Sequence, residues 1–354
     1  MQLDSGPDEV ASGVEGLHQL ALQVLLVISL SVTGTAFTSS DLAAALSVTA
    51  YHVVALAKLR VYGEAAAELA KLGDLDDPQY LPNKGQGAGS LVPFALRWLQ
   101  AELPGLAGQD QEGIQAQYRL LDWCRQQAAT AKAAGDAAAA VQWLERQQRS
   151  ACSLAGKHVR LRQHRAALAV LNEVLKQAPH QPVLWSQAGH VLLSLGDIPA
   201  AQRSFERAAA AAKHLGETPE PASSGYALEA DRRSSLEGCR DRGLLLFAQQ
   251  DFKGAIGEFN AALRQDPGDH VSANNLALCS MYAGSLSGGI QSLETSFMAA
   301  PERLMQEGVV LNLASMYDLG ASGPSMEAKH RMATWVAATA PDDLDLACTK
   351  TALG

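Results

Sequence analysis

The sequence predicts an all-α fold of stacked helical hairpins, and three observations lead to this prediction. The 354-residue chain is dominated by alanine, leucine and glutamine, which favour helices, whereas aromatic residues make up only 5% of it. Apolar residues recur at helical spacing on both sides of short turns such as Gly196-Asp197. A 34-residue period then brings the same residue types to the same positions of successive windows.

The period is clearest in four windows, 148–181, 182–215, 236–269 and 270–303. Their eighth and twentieth positions hold alanine or glycine, their twenty-fourth holds leucine or phenylalanine, and three of them have proline at the thirty-second. These columns are typical of the tetratricopeptide repeat (TPR), so the sequence predicts a TPR helical-hairpin solenoid. The predicted structural TPR positions are Trp185, Gly189, Ala201, Phe205, Ala208, Gly243, Ala255, Phe259, Ala262, Pro267, Ala277 and Pro301.

Packing of helices explains these columns. Two antiparallel helices approach closely only where small residues face each other, which accounts for the eighth and twentieth positions. The large residue at the twenty-fourth position is expected to fill the gap toward the next hairpin, so Phe259 should be buried between adjacent hairpins. The proline ends the second helix because it cannot continue the backbone hydrogen bonds.

The segments around these windows complete the predicted organisation. Residues 41–147 are predicted to form divergent N-terminal helical hairpins, and 307–340 a degenerate fifth repeat, which extends the TPR array to 148–340. Residues 216–235, rich in Gly, Pro, Glu and Ser, are predicted to be an insert, and 341–354 a tail. Residues 1–40 receive no assignment and are expected to be partly disordered. The helices predicted in the N-terminal part are 42–58, 63–72, 91–103 and 113–134.

Composition limits the classes of partner. The net charge is −9 and the pI about 5.5, and no basic cluster is present, which argues against nucleic acid and anionic membrane as ligands. The apolar run Leu20–Leu30 is shorter than the roughly 20 residues of a spanning helix. It is interpreted as a buried helix, with a membrane or targeting segment and a gene-model artefact as alternatives. Five scattered cysteines without a C-x-x-C pair favour free thiols in the cytosol.

No pattern of residues predicts catalysis. The glycine-rich segment Asn83–Ser90 lacks the Gly-Lys-Ser/Thr ending and the preceding strand of a phosphate-binding loop. His158 and His164 are six residues apart, which places them on different faces of a helix. The sequence therefore predicts a non-enzymatic protein with no cofactor, no metal and no small-molecule substrate.

The residues expected to line the concave side of the repeats predict a partner surface. These are the fifth, ninth and twelfth positions of each first helix. Leu244, Phe247, Leu278 and Met281 make this groove apolar, which suits a partner helix or an extended segment. The alternative is that these residues pack on the chain's own tail or belong to the core. Chaperone-docking repeats carry lysine at the fifth position and asparagine at the ninth, and that pair is missing here.

Several stretches resemble one family beyond the repeat pattern. Two of them are Gly-Asp-Leu-Asp-Asp-Pro at 73–78 and Gly-Ser-Leu-Val-Pro-Phe-Ala-Leu-Arg at 89–97, which Ala-Glu-Leu at 101–103 follows. The others are Gly-Asp-Ile at 196–198, Asn-Asn-Leu-Ala at 274–277 and Leu-Asn-Leu-Ala-Ser-Met-Tyr-Asp-Leu at 311–319. Together they resemble the subunit-twelve family of the trafficking (transport) protein particle, or TRAPP, complex. The Ser-Leu-Val-Pro-Phe segment is the most specific because it lies outside the repeat consensus.

The resemblance implies a scaffold subunit of a TRAPP III-type vesicle-tethering complex. Such a complex acts in ER-to-Golgi transport and autophagy and supports Rab GTPase exchange, which other subunits carry out. The implied partners are other TRAPP subunits, and the implied location is the cytoplasm, peripheral to ER–Golgi and Golgi membranes through the complex. The chain resembles a short, plant- or algal-like form, since the animal members carry a long additional N-terminal region. A TPR cochaperone-type adaptor, or another protein–protein adaptor unrelated to trafficking, is the alternative.

Overall fold

The structure is a computed structural model that describes residues 39–81, 90–216, 225–320 and 323–350. Within these ranges the regular structure is helical, without a strand. The first five helices are α1 Ser39–Lys58, α2 Tyr62–Lys71, α3 Phe94–Leu106, α4 Asp110–Ala133 and α5 Ala137–Arg160, with a 3₁₀ turn at Pro78–Tyr80. They are followed by α6 His164–Gln177, α7 Pro182–Ser194, α8 Ile198–Gly216, α9 Gly225–Ala248, α10 Phe252–Gln265, α11 His270–Tyr282, α12 Leu286–Ala299, α13 Pro301–Leu304, α14 Glu307–Gly320 and α15 Gly323–Thr339, and by a 3₁₀ turn at Leu346–Thr349. The all-α TPR solenoid that the sequence predicts is confirmed.

The chain divides into two compact units, 1–150 and 151–354. In two repeats the first helix begins before the 34-residue window. Helix α5 begins at Ala137, eleven residues before the window at 148, and α9 begins at Gly225, eleven residues before the window at 236. In the second half of the predicted insert 216–235, the backbone is helical from Gly225 and extends the first helix of the third repeat.

The same backbone turn joins the two helices of a hairpin in both units. In six hairpins the residue two positions before the second helix has a positive φ: Arg162, Gly196, Gln250 and Gly284 in the repeats, and Arg60 and Gly108 in the N-terminal unit. Glycine adopts this conformation at Gly196 and Gly284 without a steric penalty. An aspartate often starts the helix that follows, as where Asp251 accepts a hydrogen bond from the Gly254 N–H at 2.9 Å. The turn thus reverses the chain in the same way from hairpin to hairpin.

The repeat hairpins close on a contact between a glycine and a phenyl ring. A Cβ atom built on Gly243 would lie 2.7 Å from the ring of Phe259, and one on Gly189 would overlap the ring of Phe205. The aromatic residue of the twenty-fourth column therefore lies on the glycine of its own hairpin. Phe259 is also clustered with Leu276 of the next hairpin and is fully buried. Phe259 is thus buried between adjacent hairpins, as the sequence predicts, and its ring also covers the glycine of its own hairpin.

The predicted structural TPR positions differ in burial. The buried ones are Gly189, Ala201, Phe205, Ala208, Gly243, Ala255, Phe259, Ala262 and Ala277. Trp185 is half-buried: its indole N–H donates to the Pro179 carbonyl at 2.8 Å, and the guanidinium of Arg207 lies 4.7 Å from its ring centroid. Pro267 and Pro301 are exposed, and Pro301 begins the short helix α13 in addition to following α12.

The last hairpin, α14 and α15, carries a packed C-terminal segment. Leu304 and Met305, which precede this hairpin, are buried in one cluster with Leu313 and Val336. Cys348, in the segment predicted to be a tail, belongs to the same cluster, and the Asp345 N–H donates to Glu307 at 3.1 Å. The expected end of the ordered array at Pro341 is therefore wrong, because the chain remains packed up to the 3₁₀ turn.

The N-terminal unit has its own core. Leu46 and Val53 of α1 and Leu96 of α3 are fully buried together with Tyr80. The Tyr80 hydroxyl donates to the Leu72 carbonyl at 2.7 Å, which fixes the chain segment after α2. The helices predicted here exist with ends shifted by up to three residues.

Candidate interaction surface

The four residues of the predicted groove are half-buried and belong to two packing clusters. Leu244 and Phe247 of α9 pack against the cluster that contains Phe259. Leu278 and Met281 of α11 pack against the cluster that continues into the last hairpin. Part of each side chain therefore supports the fold, and the remaining part is open to solvent.

An aromatic triad lies at the turn end of these hairpins. The ring centroid of Phe247 lies 5.5 Å from that of Phe252 and 5.4 Å from that of Tyr282, and the latter two rings stack at 5.6 Å. Tyr282 is 57% exposed. Such edge and stacked contacts stabilise aromatic pairs by about 1 kcal/mol. Phe252 and Tyr282 are not among the groove residues predicted from the sequence, although each flanks a hairpin turn and that position could have indicated them.

Polar side chains connect the first helices of successive repeats. The buried carboxylate of Asp241 accepts a hydrogen bond from the Ser186 hydroxyl at 2.8 Å and contacts the His190 ring at 2.9 Å. Ser186 and His190 both bind the same carboxylate oxygen of Asp241. This differs from a catalytic triad, in which the serine hydroxyl is hydrogen-bonded to the histidine. This arrangement joins α7 to α9 and is structural.

Two further polar contacts use residues at the fifth repeat position. Arg240 forms a bidentate ion pair with Asp269, and the Asn312 amide donates to the Asn274 oxygen at 2.8 Å. Burial alone would raise the pKa of the Asp269 carboxyl, but hydrogen bonds from Arg240 and Ser272 outweigh it and lower that pKa below its ordinary value. These fifth-position side chains are engaged within the protein.

The family-like segments of the N-terminal unit meet around Arg97. Its guanidinium donates to the Leu75 carbonyl at 2.8 Å, pairs with Asp76 at 2.8 Å and lies 4.2 Å from the ring centroid of Trp123. Trp123 in turn contacts Trp143 edge-on at 4.9 Å. Arg97 is only 8% exposed. Packing in the N-terminal unit therefore explains part of the family-like sequence at 89–97.

The described residues contain no group of three or more His, Cys, Asp and Glu side chains that could hold a metal ion. The His158 ring is hydrogen-bonded to Gln163 at 2.8 Å. Burial raises the pKa of the Cys124, Cys152 and Cys279 thiols to about 11, which makes them poor nucleophiles at neutral pH. Residues 83–89 of the glycine-rich segment lie outside the described residues.

Helix α1 is long and apolar enough to cross a membrane by length and composition, over Ser40–Lys58 with mean hydropathy 1.4. Core helices of other proteins can have the same length and hydropathy. In this helix Leu46 and Val53 are fully buried in the N-terminal core. The apolar run Leu20–Leu30 lies outside the described residues.

Comparison with solved structures finds repeat proteins that overlap part of the chain. PilF of Pseudomonas aeruginosa matches with 15% identity and a TM-score of 0.38, covering 54% of this chain and 77% of PilF. The Cut9–Hcn1 complex of the APC/C matches with 14% identity and a TM-score of 0.35, covering 75% of this chain and 50% of that one. No family model matches the sequence.

Comparison with curated proteins finds one kind of relative. "Trafficking protein particle complex subunit 12" of Mus musculus is 29% identical over 316 residues, which cover 84% of this chain and 38% of the mouse protein. The human protein of the same name is 28% identical and is covered to 41%. The chain thus spans about two fifths of the length of these relatives. The resemblance inferred from the sequence motifs is confirmed: over most of its length the chain is similar to subunit 12 of the trafficking protein particle complex.

Proposed function

We propose that the chain is a non-enzymatic scaffold subunit of a TRAPP-type vesicle-tethering complex. The observation that carries the proposal is the similarity to subunit 12 over 84% of this chain, which reaches well beyond the four regular repeats. A hairpin array is suited to this role because each hairpin packs mainly on its neighbours and leaves long surfaces for partners.

The finer part of the proposal concerns the complex and its task. The complex is of the TRAPP III type, acts in ER-to-Golgi transport and autophagy, and supports Rab GTPase exchange that other subunits catalyse. The chain is then cytoplasmic and reaches ER–Golgi and Golgi membranes through its partners. The resemblance of the segments at 73–78 and 89–97 supports this assignment.

The proposed partner surface is the groove of Leu244, Phe247, Leu278 and Met281. The half-buried state of these residues and the adjacent exposed ring of Tyr282 support it. In protein interfaces a few aromatic and aliphatic anchors carry most of the binding energy. The groove would bind a helix or an extended segment of a neighbouring subunit.

Affinity purification of the tagged full chain from its own cells tests the role. We expect the other TRAPP subunits to co-purify in stoichiometric amounts and the isolated chain to show no nucleotide exchange on Rab GTPases. Co-purification of chaperones alone would favour the cochaperone-type adaptor. Robust exchange by the isolated chain would overturn the scaffold proposal.

A pair of charge substitutions tests the groove. Phe247→Asp with Met281→Asp should release the partner subunits, whereas Met298→Asp, at an 82% exposed apolar residue of α12, should retain them. Circular dichroism checks that each variant is folded. Retained partners would place the contacts elsewhere, and unfolding would assign the groove residues to the core.

A further inference from the structure

Aromatic and arginine side chains form a patch in the N-terminal unit that the proposed function does not use. Three of the chain's five tryptophans lie there, before the first repeat window, so the repeat columns do not account for them. The ring centroid of Phe94 lies 6.1 Å from that of Trp98 and 6.2 Å from that of Trp143, which contacts Trp123 edge-on. All four rings are half-buried. Together with Arg146 and Arg149 they form the arginine–aromatic patch.

The guanidinium of Arg146 contacts two of these rings. It lies 4.2 Å from the ring centroid of Trp143 and 5.0 Å from that of Phe94. A ring attracts the positive charge, but it offers no oxygen that accepts hydrogen bonds from the guanidinium N–H groups. Within the part of the chain that the structure describes, no carboxylate forms an ion pair with Arg146 or with Arg149, the exposed arginine almost one turn further along α5.

Other arginines of this unit are compensated. Arg97 pairs with Asp76 at 2.8 Å, and Arg125 pairs with Asp122 at 3.4 Å. By contrast, burial lowers the pKa of Arg146, and the positive charge of Arg149 lowers that pKa further. Arginine nevertheless remains protonated in proteins. The patch therefore carries two positive charges that no carboxylate of the described residues neutralises.

These charges favour a small anionic group as the ligand. Two free arginines in a chain of net charge −9 do not provide the extended basic surface that nucleic acid or an anionic membrane requires. The planar fork of a guanidinium matches the two oxygens of a carboxylate. Tryptophan and arginine are also among the residues most enriched at the energetic centre of protein interfaces.

We propose that the arginine–aromatic patch binds an aspartate or glutamate side chain in an acidic segment of a partner protein. The inference rests on the proposed scaffold function and adds a contact in the N-terminal unit to the groove proposed in the repeats. The carboxylate would bind the Arg146 guanidinium, and the neighbouring residues of the segment would pack on the exposed parts of the rings.

The chain's own N-terminal segment is the competing occupant. Residues 1–38 contain four carboxylates and no lysine or arginine. However, Phe94 of the patch belongs to the most specific family-like segment, whereas no family-like stretch lies in residues 1–40. A surface that shares the family resemblance is better matched by a ligand from a partner than by a segment that lacks this resemblance.

Three variants separate binding from folding. Arg146→Met removes the charge and keeps a flexible side chain that packs well on aromatic rings, so it should melt within about 4 °C of the wild type. Arg146→Lys keeps the charge but lacks the planar fork, and it should bind the partner more weakly than the wild type. Arg165→Met is the matched control, since Arg165 of α6 is exposed and has no ion pair or ring contact within the described ranges.

Photo-crosslinking identifies the occupant in the tagged full chain. Benzoylphenylalanine replaces Gln142, an exposed residue one turn before Arg146 on α5, and the cross-linked peptide is sequenced by mass spectrometry. We expect a segment of another protein that contains aspartate or glutamate. It should be cross-linked in the wild-type and Arg165→Met backgrounds and lost with Arg146→Met.

A fluorescent peptide of that segment measures the contact directly. It should bind the Arg146→Met chain at least about tenfold more weakly than the wild type, a difference of about 1.4 kcal/mol, and bind the Arg165→Met chain unchanged. A peptide with the acidic residue replaced by its amide should lose as much affinity for the wild type. It should lose little more for Arg146→Met, because both changes then remove one and the same contact.

Several results would overturn the inference. They are a cross-link to residues 1–38, to a second copy of this chain or to a segment without a carboxylate, and equal peptide binding by Arg146→Met and Arg165→Met. If Arg146→Met unfolds, wild-type binding by Arg146→Lys would overturn it instead. The absence of any cross-link while TRAPP subunits co-purify would do so as well and leave the scaffold function intact. A wild-type chain that purifies without any TRAPP subunit would contradict the proposed function itself.

Discussion

The N-terminal unit and the repeat unit use one hairpin turn but hold their hairpins together in different ways. In the repeats the apolar contacts follow columns, as where Phe259 packs on Gly243 of its own hairpin and on Leu276 of the next. A buried polar link from Ser186 and His190 to Asp241 lies beside them. In the N-terminal unit single polar side chains, Tyr80 and Arg97, reach across the fold to backbone carbonyls. The backbone turn is therefore general, whereas the residues that fix hairpin against hairpin are specific to each unit.

The largest effect is expected at the centre of the column packing. Phe259→Ala should lower the free energy of unfolding by roughly 3–5 kcal/mol, because the fully buried ring leaves a cavity behind. Phe205→Ala should cost less, since its ring already borders an open cavity that Ala209 also lines. Urea unfolding of both variants measures the difference. Equal losses would show that the neighbouring cavity does not lower the cost of Phe205→Ala.

A smaller effect is expected for the polar link of the N-terminal unit. Arg97→Met should cost about 2–3 kcal/mol, because the change removes hydrogen bonds of a charged group. It also leaves the carboxylate of Asp76 without this ion-pair partner. Arg125→Met is the control, since the Arg125 pair with Asp122 is longer, at 3.4 Å, and the Arg125 side chain is 40% exposed against 8% for Arg97. If both variants unfold at the same urea concentration, Arg97 does not hold this unit together.

The two units also differ in how much of them the sequence could predict. The helices and the small and aromatic columns follow from spacing alone, because each hairpin repeats the same packing problem. The role of Arg97 depends on Leu75 and Trp123, 22 and 26 residues away without any period, so no pattern in the sequence indicates it. The link from Ser186 and His190 to Asp241 was missed for the same reason, since it joins residues more than 50 positions apart.

Burial of thiols affects both units alike and predicts a pH dependence. Burial is the main cause that raises the pKa of Cys124 and Cys279 from 9.0 to about 11. Each thiol then favours the folded state below pH 9, and this contribution is lost as the pH rises from 9 to 11. Near pH 10 each should cost about 1 kcal/mol of stability.

Urea unfolding under reducing conditions, near pH 8 and near pH 10, measures this loss. Cys124→Ala and Cys279→Ala should each show a smaller decrease than the wild type, and unchanged decreases would assign the alkaline sensitivity to other groups. The comparison of the two variants shows whether the N-terminal unit and the repeat unit contribute equally.

The smallest effect is expected for a polar link at the surface of the repeat unit, between Arg303 and Asp266. Arg303 donates two hydrogen bonds of 2.6 Å to the Asp266 carboxylate, and the Arg303 side chain is 56% exposed. The hydrogen bond to Asp266 raises the pKa of Arg303 above its ordinary value, so the guanidinium stays charged at neutral pH. Exposed pairs of this kind contribute about 0–1 kcal/mol, because water and salt screen them. Asp266→Asn keeps the oxygen that accepts from the Gly268 N–H, and it removes the charge together with the oxygen that accepts the second hydrogen bond from Arg303. The variant should therefore unfold within about 1 kcal/mol of the wild type at low salt and closer still at high salt. A loss as large as that of Arg97→Met would mean that the array, like the N-terminal unit, depends on single polar contacts, and the contrast between the two units would fail.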